Sequence, residues 1–181
     1  FNLCKEIETV YVFLLKIGKV FVMKNRFIRS FALLGGAALF CHWQNNDLVT
    51  TRYQIRSPKL PKAFDGYKIV QISDLHNKKF GLNQSALLEK VMSEKPDLIV
   101  VTGDLIDRSR TDVEAAMAFI RGAVQIARVA YVSGNHEVNS GINMHLAKKL
   151  ASAGVEVLND KATDLLKQEQ KIRLIGMSDF S

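Results

Sequence analysis

Acids, imidazoles and an amide recur in three short clusters of this 181-residue chain. The first is S-D-L-H, with Asp74 and His76; the second is G-D-L-I-D, with Asp104 and Asp107. The third is G-N-H-E, with Asn135, His136 and Glu137. Together they form a hard, mixed oxygen and nitrogen ligand set, which suits Mn, Fe, Zn or Mg rather than a thiolate-bound metal. Several carboxylates gathered in one place repel one another unless a cation neutralises them. The first two clusters alone have ordinary explanations, since Asp and His close turns and a Gly-Asp turn with a second acid caps a helix, whereas G-N-H-E is the more specific signal. All three in order, each at the end of a strand pattern, leave coincidence a small share.

The elements that must position these residues are legible from Gly66 onward. Residues 67–73 (YKIVQIS), 98–102 (LIVVT), 129–133 (VAYVS) and 155–158 are short apolar runs that read as strands. Between them lie helical patterns. One is capped by Asn83 or Ser85, shows Leu87, Leu88, Val91 and Met92 on its apolar face, and stops near Pro96. The next starts at a Thr111/Glu114 capping box and runs to about Ile126, and a third spans residues 142–152. Residues 165–167 and 171–176 are expected to pair as a hairpin around 168–170. Continuous apolar strands separated by helices argue for an α/β fold with a parallel or mixed sheet flanked by helices. Asp74 to Asp104 is 30 residues and Asp104 to Asn135 is 31, each the length of one βαβ unit. Strand ends one unit apart share an edge of a parallel sheet, so the three clusters should meet in one crevice.

With those motifs in that order, residues 49–181 resemble the calcineurin-like metallophosphoesterase family, in particular its small membrane-anchored phosphodiesterase members. The resemblance implies the N-terminal half of an α/β/β/α sandwich, over residues 66–181. It implies two divalent metal ions that generate a bridging hydroxide for attack on a phosphoester. Asp74 and His76 would ligate the first ion, Asp104 would bridge both, and Asn135 would ligate the second. His136 would serve as acid beside the leaving group, with Asp107 orienting it. The family pattern continues with a G-H and a G-H-x-H supplying three further histidine ligands, and neither is found here. The resemblance thus implies a C-terminally truncated copy or half of a longer product, and the alternative is a non-catalytic remnant or metal-binding module. After His136 the only histidine is His145, expected to be a solvated or half-buried helix residue and not a ligand. A nucleotide-binding domain is disfavoured, because no G-x-G-x-x-G or G-x-x-x-x-G-K-[ST] loop follows a strand.

Composition separates the chain into two parts. The net charge of +7 belongs entirely to residues 1–62, and residues 63–181 are balanced, so no specific nucleic-acid binding is expected of the body. Residues 1–43 read as a membrane anchor. Lys24, Arg26 and Arg29 precede an uncharged apolar run, FALLGGAALFCHW, at residues 31–43. That run is short beside the roughly 20 residues a span requires. No small-residue cleavage site follows it, so an uncleaved anchor is expected, holding the body on the extracytoplasmic face by positive-inside logic. Residues 44–65, with Pro58 and Pro61, read as a linker containing one edge strand at 49–56. Proximity to a membrane associates the phosphoester substrate with a lipid-linked phosphodiester.

Overall fold

The computed structural model describes residues 6–11, 35–36, 39–40 and 47–179. Most of the expected anchor at 1–43 falls outside them, and among the described residues no helix is long and apolar enough to cross a membrane. In chain order the elements are β1 (Glu6–Tyr11), β2 (Thr51–Arg56), β3 (Tyr67–Ile72), α1 (Ser85–Ser93), β4 (Leu98–Thr102) and α2 (Val113–Ile126). They continue with β5 (Arg128–Val132), α3 (Asn135–Asn139), α4 (Asn143–Ser152), β6 (Glu156–Val157), β7 (Lys161–Lys167) and β8 (Gln170–Gly176).

Six strands form one mixed sheet in the order β2-β1-β3-β4-β5-β6, and β7 and β8 form a separate antiparallel pair. From β1 to β6 neighbouring strands run parallel, and only β2 is reversed. Strands laid down in sequence order with right-handed crossovers place their connecting helices on one face. Residues two apart point to the same face of a strand. Tyr67, Leu98 and Ala130 accordingly face the hairpin, packing with Phe64, Leu158 and Leu165. Their alternates Val70, Ile99, Val101, Val129 and Tyr131 are buried on the opposite side, as are Leu87 and Val91 of α1, Phe119 and Ile120 of α2, and Leu146 and Leu150 of α4. Helices, main sheet and hairpin thus make three layers, the α/β arrangement expected.

Several local expectations are corrected. Strand β1 was not foreseen; its main chain lies between β2 and β3. The cap of α2 is Asp112, not Thr111, because its side chain is the one that accepts the Ala115 amide at 3.1 Å. At the start of α1 neither Asn83 nor Ser85 caps. Gln84 holds that position in a left-handed conformation, and its buried side chain bridges the Phe80 amide (2.9 Å) and the Lys78 carbonyl (2.7 Å). Met92 is exposed rather than part of the apolar face. The β7–β8 connection is tighter than expected. Lys167 pairs with Gln170, leaving the two-residue turn Gln168–Glu169, both at positive φ as the twist of a hairpin demands. His145 is exposed on α4, as expected.

Candidate metal centre

The three clusters follow β3, β4 and β5, whose ends lie side by side. Pairing between β3 and β4 continues past the strands into their loops. The Asp74 amide donates to the Gly103 carbonyl (3.4 Å), that of His76 to Asp104 (2.9 Å) and that of Asn77 to Leu105 (3.1 Å). Asp74, His76, Asn77 and Asp104 all have φ between 46° and 61°. Asp, Asn and His are the residue types that accept this left-handed region most readily, and such conformations concentrate at functional sites. The β4 and β5 loops touch. A Cβ on Gly103 would come within 2.5 Å of the Gly134 main chain, and one on Gly134 would overlap the Asp104 carboxylate. Only hydrogen fits in that gap, which is why both positions are glycine.

Asp104 stands at the centre, with 13% side-chain exposure against 66% for Asp74. His76 Nε2 lies 3.6 Å from Asp74 Oδ1 and 3.9 Å from Asp104 Oδ2. Those separations exceed a hydrogen bond. Ligand atoms of Asp74, His76 and Asp104 all fall within 4.8 Å of one another, near the diameter of a coordination shell built on metal–ligand bonds of about 2.0–2.2 Å. The Asn135 amide meets the same carboxylate. With its nitrogen turned inward it donates to Asp104 Oδ2 (3.0 Å) and Oδ1 (3.3 Å). With its oxygen inward, three oxygens would face each other, an arrangement that only a cation reconciles. The donor types and spacing therefore fit a divalent ion.

His136 and Asp107 sit beside this group. The rings of His76 and His136 meet edge-on with centroids 4.3 Å apart, and ligand atoms of His76, Asp107 and His136 also lie within 4.8 Å of one another. The His136 amide donates to Asp104 Oδ1 (3.0 Å), and its ring Nδ1 accepts the Arg108 amide (3.1 Å). The ring partner on Nδ1 is thus main chain rather than Asp107. Asp107 Oδ1 accepts the amides of Ser109 (2.7 Å) and Arg110 (3.3 Å). The Ser109 bond, with smaller help from Arg110 and the two histidines, holds its carboxyl below the usual carboxylate range.

One residue of the third cluster has a role its type did not announce. Glu137 is fully buried. Its Oε2 accepts the amides of Asp104 (2.7 Å) and Gly134 (2.9 Å), and its Oε1 that of Ile106 (3.1 Å). It clamps the β4 loop to the β5 loop.

Residues 67–173 match the calcineurin-like phosphoesterase family, and this stretch contains all three clusters. The chain belongs to that family. This calcineurin-like phosphoesterase is 31% identical over 152 residues to a metallophosphoesterase of Bacillus subtilis, YkuE, covering 81% of the chain and 53% of the relative. It is 36% identical over 104 residues to UDP-2,3-diacylglucosamine pyrophosphatase LpxG of Chlamydia muridarum, covering 51% and 30%. It is also 29% identical over 121 residues to phosphodiesterase YaeI of Escherichia coli, covering 63% and 44%. The chain spans between about a third and half of the length of these relatives.

Proposed function

We propose that the protein is a metal-dependent phosphodiesterase acting on a lipid-linked phosphoester, with two divalent ions (Mn, Fe, Zn or Mg) at the ends of β3, β4 and β5. Asp74 and His76 hold the first ion, Asn135 the second, and Asp104 serves both. The observation that carries this reading is the position of Asp104, whose carboxylate lies within reach of Asp74, His76 and Asn135 together. Two such cations, when bound, activate a water for in-line attack and neutralise phosphoryl oxygens. The chain's own residues supply the rest. With Nδ1 accepting the Arg108 amide, the His136 ring is a neutral imidazole. Protonation at Nδ1, at the expense of that bond, would give the imidazolium whose Nε2 proton passes to the departing oxygen and leaves the ring neutral. Asp107, kept ionised by its loop amides, stabilises the charged ring before the transfer. The lipid-linked substrate is supported by the name of the Chlamydia relative and by the basic-then-apolar pattern of residues 24–43, which would tether the body at an extracytoplasmic membrane face.

Metal content and hydrolysis rates on good and poor leaving groups test the assignment. Asp104→Ala should lose both ions, and Asn135→Ala should mainly weaken one. His136→Ala should keep metal but lose about 10²–10⁴-fold in rate, less for p-nitrophenyl diesters whose leaving group needs little protonation. Metal loss in His136→Ala equal to that in Asp104→Ala would make His136 a ligand. Full rate in Asp104→Ala would end the dinuclear reading. Metal binding without hydrolysis of any phosphoester would leave the chain a metal-binding module.

A further inference from the structure

The cleft leading away from the metal-ligand group has an acidic end and a basic end. It measures about 730 Å³ and is walled by the loop after β3 and the loop before α2, a size in the range of small-molecule sites. Asp74 and His76 stand at one end, and Lys78, Lys79 and Arg110 line the remainder beside Asp112. These cations are held differently. Lys79 is matched by Asp112 at 2.8 Å. Lys78 is half-buried, with its ammonium 5.2 Å from the centre of the Phe80 ring. Neither Lys78 nor the Arg110 guanidinium has a carboxylate partner among the described residues.

The basic end is also fixed in place. The Asn77 side chain staples the two walls, its amide nitrogen donating to the Arg110 carbonyl and its oxygen accepting the Asp112 amide (3.2 Å). Buried Gln84 holds the Lys78 carbonyl (2.7 Å), and Asp107 holds the Arg110 amide (3.3 Å). Cations anchored at the main chain lose less freedom when they bind an anion. An ammonium supplies a point charge and a guanidinium a fork, the two standard partners of phosphate oxygens.

We infer that the basic end, built on Lys78 and Arg110, is a subsite for a second phosphoryl group carried next to the scissile one. The substrate class is then a pyrophosphate-type diester rather than a simple phosphodiester. This rests on the phosphoesterase reading above, deepening it by naming what the substrate carries. The acidic end takes the phosphoryl group under attack, and the neighbouring group reaches the two cations that have no carboxylate partner among the described residues.

The test compares the full chain with its Lys78→Ala/Arg110→Ala variant on two substrates: bis(p-nitrophenyl) phosphate, with one phosphoryl group, and diadenosine pyrophosphate, with two. The variant should lose at least about tenfold more kcat/KM on the pyrophosphate than on the simple diester, most of it in KM. Lys78→Arg/Arg110→Lys should restore most of that selectivity. Equal losses on both substrates would overturn the subsite. If the wild type hydrolyses neither, the phosphoesterase reading fails and binding decides the subsite. Phosphorus NMR titrations on Mg²⁺-loaded protein would then compare methylphosphonate with methylenebisphosphonate. A bisphosphonate preference that falls in the double variant supports the subsite. The same affinity in both proteins overturns it.

Discussion

Glu137 shows how one side chain can set the geometry of a site it does not enter. Its carboxylate has no exposure and answers three main-chain donors on two loops. Buried donors left unanswered cost about 1–3 kcal/mol each. Glu137→Ala is therefore expected to destabilise the fold by about 3 kcal/mol or more, and Glu137→Gln by less, since the amide keeps one acceptor. Urea unfolding of both variants measures this. Metal affinity should fall in parallel, because the Asp104 amide is one of the freed donors. An alanine variant as stable as the wild type would show that the clamp contributes nothing. Behind it, burial and then the charge of Glu137 push the Tyr131 phenol well above its ordinary range, so this tyrosine stays neutral at the base of the site.

Among the elements, the β7–β8 hairpin carries the clearest electrostatic signature. Asp164 lies opposite Arg173 in the ladder, with Arg173 Nε at 2.9 Å and Lys171 Nζ at 3.0 Å. The Arg173 bond, then that of Lys171, brings the Asp164 carboxyl from an ordinary 3.8 down to about 2. A carboxyl whose folded pKa lies below its unfolded one favours folding above the unfolded value, and that contribution disappears as pH falls through the folded value. The stability difference between wild type and Asp164→Asn should accordingly be constant above about pH 5 and vanish between about pH 4 and pH 2. Unfolding curves across that window check it. A difference that persists undiminished at the acid end would mean that the effect is packing and not charge. Because Lys171 and Arg173 are exposed, the difference should also shrink in salt.

For the molecule as a whole, the site and the fold are thermodynamically linked. Asp74, Asp104 and Asn135 come from three strand ends and have no reason to converge in the unfolded chain. Metal should bind the folded state and stabilise it by RT ln(1 + [M]/Kd), about 2.7 kcal/mol at a hundredfold excess over Kd. Thermal unfolding with Mn²⁺ or with a chelator is expected to differ by several degrees. In Asp104→Asn the difference should disappear. An equal metal-induced rise in that variant would place the ion elsewhere.

The parallel strands and their spacing were legible because strands buried on both faces are continuous apolar runs, and chirality and connection rules leave few ways to arrange them. Asp74, Asp104 and Asn135 could thus be expected in one crevice from the sequence alone. What escaped depends on partners distant in the chain. Sequence pattern separates buried from exposed positions but does not say which amide a buried acid will meet, so Glu137 showed only its type. Thr111 and Asp112 are both good cap residues, and the path of the loop, stapled by Asn77, decided between them. Strand β1 lies in the basic N-terminal part of the chain and is defined by its pairing with β2, some 45 residues away. The Gln168–Glu169 turn has no glycine to mark it, and its left-handed backbone is imposed by the register of β7 on β8. The basic end of the cleft is likewise a product of folding, because Lys78 and Arg110 become neighbours only when β3 lies beside β4.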